Sequence, residues 1–470
     1  MGISTAFRNS SSGLSTTARW AELTAANIAN ANREGYVKRS LVTESAPGGG
    51  VLATGLRREV NSNLDRLFRS ELAGVARQEI IASQLDTYSF ELGKPGDTLS
   101  MAGQFSNLYS GFGLLSNSPA DTSLQNNVLA SALGLANSLN DASSTLDQTL
   151  QSVTAGIQND VSTVNAHLNK IAQLNIQIEG SQQATTHRAD LQDERAKEID
   201  ALSILLDVNT STDTRGNVSI LTGQGTVLVD KATAFEVSYD ISLGQLNVGD
   251  SEITPNKTGT RGFSGGQLAG WFDLKDDVLP QMKLQLDEFA RALVESFEVA
   301  DSSLSVGQAG LFTDQGAAYN PAQQEGLAGR LTVNAAVDPN RGGNLWRIRD
   351  GIGAATEGPA GDSTQPLKFL AVFEAAHTFD PQAGQGSSAE LLDYLAGMVA
   401  DQKLVQVDAQ VKVEELGTKA QTIQSARQGV QGVNLDAELQ QLTLIEQSYA
   451  ANAQVTQSLT QMLDTLLAAV

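Results

Sequence analysis

The sequence predicts an α+β chain that is mainly α, with its terminal helices paired as a coiled coil, a helical-bundle middle domain and an inserted small β-rich outer domain. Three observations carry this. Seven-residue apolar series run along both ends, the stretch 121–205 keeps a helical pattern, and the period changes to short β segments only between 208 and 262.

At the N-terminal end, Phe7, Leu14, Ala21 and Ile28 recur every seven residues with Ala18 and Ala25 beside them, which predicts a helix over 4–32. Its stripe is narrow and rich in alanine, so a partner helix can approach closely. Asn32, Gly35 and Tyr36 end it, with Gly35 as a left-handed stop. Residues 37–60 read as a β excursion with glycines at its turn. A helical signal returns at Asn63 and breaks at Pro95-Gly96-Asp97 and again at 117–121, where Pro119 marks a new helix start. Val164, Leu168, Ile171, Leu174 and Ile178 share one face of the next long helix. A break at 180–187 precedes a further helix over 188–205.

The segments NVSILT (217–222), TVLV (226–229), AFEVSY (234–239) and QLNV (245–248) read as strands separated by Gly223, Gly225 and Gly244. A helix over 267–300, kinked at Pro280, follows them. Residues 301–380 are mixed, with a strand at LTVN (331–334) and a short helix near 366–377. A long helix covers 388–427. At the C-terminal end, Leu435, Leu442, Tyr449, Thr456, Leu463 and Val470 form one heptad series. Ile445, Asn452, Leu459 and Leu466 form a second, with Glu438 its polar exception. Asn434 is placed to cap this helix.

Both terminal helices would be roughly 45–55 Å long. Two readings of them stand at this point: a helical hairpin closed within one chain, or a coiled-coil arm finished only in an assembly. In the second, the stripes are unsatisfied and the ends disordered in the free chain. Pairing the ends predicts three layers: 1–36 with 433–470 as the terminal coiled coil, 37–207 with 381–432 as a helical and mixed shell, and 208–380 as the inserted β-rich outer domain.

Composition narrows the function. Of 470 residues, 53 are acidic and 31 basic, a net charge of −22, which argues against nucleic acid as a partner. The excess is uneven: residues 1–77 carry 10 bases and 6 acids, whereas 433–470 carry Asp436, Glu438, Glu446 and Asp464 and no base. The absence of cysteine excludes disulfides, thiolate metal sites and a cysteine nucleophile. No apolar run reaches the ~18 residues of a membrane span. The first twenty residues lack the charged and apolar regions of a cleaved signal, so the chain is expected either to stay in the cytosol or to leave by a route that does not use that signal.

No catalytic, cofactor or metal site is expected. HExxH, GxxxxGK[ST] and GxSxG are absent. Gly223-Gln224-Gly225 reads as a hairpin turn and Thr212–Asn217 as a turn rather than a calcium loop. Asp190, Asp193, Glu194, Glu198 and Asp200, interleaved with Arg188, Arg195 and Lys197, read as a solvated, salt-bridged helix face. Arg57, Arg58, Arg66 and Arg69 form a basic cluster, either a solvated face or a contact to an acidic neighbouring subunit. His167, His187 and His377 have no evident partner.

Two further stretches carry a resemblance. Leu23-Thr24-Ala25-Ala26-Asn27-Ile28-Ala29-Asn30-Ala31-Asn32 followed by Gly35-Tyr36 resembles the N-terminal signature of bacterial flagellar rod and hook axial proteins. Gly432-Val433-Asn434-Leu435-Asp436, Glu446–Ala453 and Met462–Leu467 resemble the other end of that family. Segments 164–178, 190–210 and 265–297 are similar to its hook-associated branch, which joins hook to filament. Glu34 stands where the family usually has proline, and the family's usual Asn/His/Gly cluster after the helix ending near 300 is absent. The resemblance implies a non-enzymatic, extracellular subunit of the flagellum at the hook–filament junction, exported by the type III route. Its implied partners are copies of itself in a helical ring, the hook protein, the second junction protein and an export chaperone on the C-terminal helix. The implied assembly interface is Phe7, Leu14, Ala21, Ala25, Asn27, Ile28, Asn30 and Tyr36 with Leu435, Leu442, Ile445, Tyr449, Asn452, Leu459, Leu463 and Leu466. Asn27, Asn30 and Asn452 are expected either to satisfy buried polar groups and fix register or to cap and meet solvent.

Overall fold

The computed structural model describes residues 2–47, 49–94, 96–182 and 185–468; Pro95, Val470 and the 183–184 part of the expected break lie outside them. The chain is mainly α with small antiparallel sheets, as its periodicity predicts. It begins with α1 (Ile3–Ala29), the hairpin β1 (Arg39–Ser45) and β2 (Val51–Arg58), α2 (Ser62–Gln84), α3 (Asp86–Glu91), α4 (Met101–Asn117), α5 (Thr122–Gly180) and α6 (Thr186–Leu205). The β segments are β3 (Val208–Thr212), β4 (Val218–Thr222), β5 (Val227–Asp230), β6 (Thr233–Ala234), β7 (Val237–Asp240), β8 (Gln245–Val248) and β9 (Ser251–Glu252). They are followed by α7 (Gln267–Asp273), α8 (Leu279–Ala300), β10 (Phe312–Asp314), α9 (Leu327–Arg330), β11 (Leu331–Val333), α10 (Arg347–Asp350), α11 (Thr364–Glu374), β12 (His377–Thr378), β13 (Ser388–Ala389), α12 (Leu391–Gln431) and α13 (Leu435–Ala468).

Two compact units emerge, one built from Met1–Arg77, Asn159–Ala269 and Glu414–Val470, the other from Gln78–Gln158 and Gly270–Val413. This division differs from the three layers drawn from sequence. The segment 208–262 falls with both termini, while 301–380 falls in the second unit. Each passage between units lies inside a helix (α2, α5, α7 or α12), so no Pro/Gly-rich linker marks it in the sequence.

In the first unit, β3-β4-β5-β6 form one antiparallel sheet and β7-β8-β9 another. Val218, Ile220 and Thr222 alternate inward along β4. Two asparagines on α5 clip strand backbones. Asn165 gives Nδ2 to the Val237 carbonyl and accepts from the Val237 amide, both at 2.8 Å. Asn175, fully buried, donates to the carbonyls of Val218 and Lys231 and accepts from the Val218 amide. The strand β3 was not foreseen, because VNTST exposes four of its five side chains and carries no apolar alternation. The turn 213–217 is closed by Asp213, whose carboxylate accepts from the amides of Arg215 and Asn217.

The second unit packs around aromatic rings. Phe297 on α8 lies 5.2–5.9 Å, centroid to centroid, from Phe112, Phe312, Phe369 and Phe373. The kink expected at Pro280 is instead a π-helical turn over Leu274–Val278, closed by the Leu279 amide on the Leu274 carbonyl. Proline cannot donate to the carbonyl four residues back and its ring crowds that turn, so the helix widens before it. Other helix limits shift by a few residues. The first helix stops at Ala29, three residues early, with a turn before Gly35 at φ +72°.

Phe297→Ala removes the ring that the other four share. It is expected to lower unfolding free energy by about 3–5 kcal/mol in a urea titration followed by circular dichroism.

Candidate functional site

The two ends meet as an antiparallel helix pair in one chain, α1 against α13. Ser10 donates to the Asn452 carbonyl at 2.7 Å and shares a hydrogen bond with Thr456 at 2.8 Å. Seventeen residues further along α1, Asn27 reaches Glu438. The side chains of α1 that the pair and the adjoining hairpin bury are Ser10, Thr16, Thr17, Leu23, Thr24 and Asn27. The seam is therefore the Ser10/Thr17/Thr24 series, three residues along from the apolar stripe read in the sequence. Hydroxyls can occupy it because Thr17 turns its own hydroxyl onto the carbonyls of Gly13 and Leu14. Gly13 sets the approach: a Cβ there would stand 2.9 Å from Asn452 Oδ1.

The stripe Phe7, Leu14, Ala21, Ile28 runs along the edge of the pair. Phe7 is 40% exposed, Ala25 is exposed and the other three are half-buried. On α13 only Glu438 and Ile445 are fully buried; Leu442, Asn452 and Leu459 are half-buried, and Leu435, Tyr449, Leu463 and Leu466 are exposed. The residue set aside as a polar exception, Glu438, is thus a centre of the contact. In this structure the pair is closed inside one chain.

Around Glu438 lies a buried polar network. Its carboxylate accepts from Asn27 Nδ2 at 3.1 Å and pairs with Lys38 Nζ at 2.8 Å. Asn27 also donates to the Arg39 carbonyl, and its Oδ1 accepts from the Arg39 amide and the Tyr36 hydroxyl. All hydrogen-bonding capacity of this amide is used within the chain. The Arg39 guanidinium lies over the Tyr36 ring and pairs with Asp190 at 2.6 Å and Asp193 at 2.9 Å; Arg58 pairs with the same Asp193. Burial opposes the charge on Arg39, but the two carboxylates outweigh it and hold its pKa above the ordinary value. Burial likewise pushes the Tyr36 phenol up, reinforced by Asp193, Asp190 and Glu438 against the opposing Arg39. Asn30 is outside this network and bonds only back to the Ala26 carbonyl. Asn452 donates back to Ser448.

The acidic helix α6 is salt-bridged but only partly solvated, with Glu194 and Lys197 exposed. Asp193 and Arg195 are buried, and the partners come from other elements: Lys170 for Glu194, His167 for Glu198, Arg69 and Arg427 for Asp200. Arg195 donates to Asn175 and to the Gly216 carbonyl, and burial beside Arg58 and Arg188 lowers its pKa to about 10. Arg58 and Arg69 thus find their acids inside the chain, while Arg66 stays exposed. Two histidines do have partners: His167 on Glu198, and His377 on Ser296 and the Val372 carbonyl. Arg39, Glu438 and Asp193 were missed because their partners are 135 or more residues away. The sole hint was a charged residue at a seam position, 438. Among the described residues no cluster of three or more His, Asp or Glu is placed to hold a metal ion, and no helix is long and apolar enough to cross a membrane.

Residues 91–303 match the model of the helical domain of the flagellar hook-associated protein FlgK. Flagellar hook-associated protein 1 of Bacillus subtilis (strain 168) is 24% identical over 516 aligned residues, spanning 99% of this chain and 97% of that protein. The chain is similar to flagellar hook-associated protein 1 over nearly its whole length. The Escherichia coli (strain K12) counterpart is 21% identical over 560 residues, 99% of this chain and 100% of the other. The solved structure of the flagellar hook junction protein FlgK from Burkholderia pseudomallei aligns over 52% of this chain and 46% of its own, with 22% identity and a TM-score of 0.43.

Glu438→Ala leaves Lys38 and the Asn27 amide facing a void. It is expected to cost about 3–5 kcal/mol, seen as a lower urea midpoint with early loss of protection on α13 in hydrogen exchange. The raised Tyr36 pKa gives a second expectation. Its contribution to stability is whole below the ordinary value of 10 and is lost as pH rises through the higher folded value. Melting temperature should therefore fall more steeply with alkaline pH in the parent than in Tyr36→Phe.

Proposed function

We propose that this chain is a structural subunit of the bacterial flagellum that joins hook to filament, assembling into a short helical tube through its terminal helices. One observation carries the reading beyond the family likeness: the paired ends keep uncovered apolar edges. On α13 these include Leu444, Val455, Met462 and Leu466, all exposed and free of neighbouring base, and on α1 they include Phe7. Monomeric proteins seldom leave contiguous apolar surface of this kind unless a partner covers it. Contact with copies of itself, with the hook protein and with the second junction protein would bury those edges. An export chaperone would cover α13 beforehand. The extracellular location and passage through the type III apparatus without signal cleavage belong to the same proposal, as does the assembly role of the sixteen terminal residues named from sequence. The exposed members of that set, Phe7, Ala25, Leu435, Tyr449, Leu463 and Leu466, are its strongest candidates.

A strain lacking the gene should make complete hooks without stable filaments and shed filament subunits into the medium. Restoring the gene should restore filaments. A rod without a hook in the deletion strain would contradict the junction assignment.

A further inference from the structure

The buried network around Glu438 brings together three groups that can react with one another. Lys38 Nζ lies 2.8 Å from Glu438 Oε1, and Asn27 Nδ2 lies 3.1 Å from Glu438 Oε2. One carboxylate, on a residue only 3% exposed, therefore touches an amine and a primary amide at once. The amide is held from its other side as well. Its Oδ1 accepts from the Tyr36 hydroxyl at 2.9 Å and from the Arg39 amide at 3.2 Å, and its Nδ2 also donates to the Arg39 carbonyl at 3.0 Å. Lys38 shares the peptide bond whose N–H meets Oδ1, so its side chain starts beside the amide.

A primary amide is a poor electrophile and an ammonium group is no nucleophile. The neighbours correct both. Two hydrogen bonds on Oδ1 polarise the carbonyl and face the negative charge that an attack would place there, as an oxyanion hole does. Burial keeps the Tyr36 phenol protonated to higher pH than usual, so it stays a donor. Glu438 can take a proton from Nζ on one oxygen and hand one to Nδ2 from the other. The attack is intramolecular on an amide fixed in one orientation. The flexible four-carbon stem of lysine lets Nζ swing from the carboxylate to the amide carbon. The Lys38 side chain is 32% exposed, which leaves a path to water for a small leaving group.

We propose that Lys38 and Asn27 become joined by an isopeptide bond, with Glu438 as the proton carrier. Nζ attacks Cγ, the Nζ–Cγ bond forms and the Cγ–Nδ2 bond breaks. The two protons that Nζ gives up pass by way of Glu438 to the departing nitrogen. Ammonium leaves and the carboxylate is regenerated, with no oxidant, metal or co-reactant. Asn27 and Glu438 are 411 residues apart, so the three groups meet only after the two ends have paired. The bond is thus a covalent record of folding that ties the last turns of α1 to the residue before β1. It depends on the closed pair and not on the junction reading.

Mass spectrometry of the folded full-length chain tests this. The parent is expected to weigh one ammonia less than its sequence. Trypsin should release a branched peptide in which residues 20–33, through Asn27, are joined to residues 34–39, through Lys38. Lys38→Arg keeps a cation beside Glu438 but has no attacking amine, and Glu438→Gln keeps the shape but carries no proton. Both should retain the full mass, and Lys38→Arg should keep the parent's circular dichroism. Lys38→Arg decides the matter by itself where Glu438→Gln does not fold. A folded parent at full mass would overturn the proposal. So would ammonia loss that persists in Lys38→Arg, which would mean that an asparagine closes on its own backbone. A branched peptide in Glu438→Gln would overturn the role given to the carboxylate.

Discussion

The terminal pair depends on a buried carboxylate. Glu438 sits at 3% exposure in the first turns of α13, and its charge is tolerated only because Lys38 and the Asn27 amide meet it. Asn27 is in turn fixed by both backbone groups of Arg39 and by the Tyr36 hydroxyl, and Arg39 by two acids of α6. One connected network therefore joins the end of α1, the start of β1, the start of α13 and the buried side of α6. A shifted register would leave Glu438 and the Asn27 amide buried without each other, so one register of the two ends is selected over its neighbours.

That selection matters because the rest of the seam is permissive. Ser10, Gly13, Thr17 and Thr24 are small; the Ser10 hydroxyl bonds the Asn452 carbonyl across the pair, and the Thr17 hydroxyl bonds back to its own helix. Such a surface allows close approach and discriminates weakly between registers one heptad apart. Apart from the buried Leu23 and Ile445, the large apolar side chains lie toward the edges, where they are half-buried or exposed in the single chain. Intramolecular pairing and an unfinished assembly surface are thus compatible. Polar groups close the pair, and apolar edges remain for neighbours.

Much of the fold was legible because long helices repeat their pattern many times. The long helices α5 and α12 and the strands β4, β5 and β8 lie close to where periodicity put them. The misses have local causes. β3 pairs with β4 but exposes almost everything else, the π turn answers a proline that reads equally as a kink, and α2, α5, α7 and α12 pass between compact units without a linker. The terminal interface was half legible. Heptad spacing located both helices, and the family resemblance picked out Asn27 and Tyr36, but the spacing assigned the contact to the apolar positions. The buried positions were the hydroxyl series three residues along. Ion pairs such as Arg39 with Asp193 or Arg427 with Asp65 connect residues 154 and 362 apart, and sequence spacing carries no trace of them.

The central claim is that one chain closes its own ends through the small-residue seam and presents the remaining edges outward. The chain has no cysteine, so an introduced pair reports cleanly. Ser10→Cys with Thr456→Cys places two thiols where the hydroxyl oxygens are 2.8 Å apart. On mild oxidation of the dilute protein, the account predicts a disulfide within a monomer, seen as a faster-migrating band on non-reducing electrophoresis. Cross-linked dimers alone, or no disulfide, would contradict it.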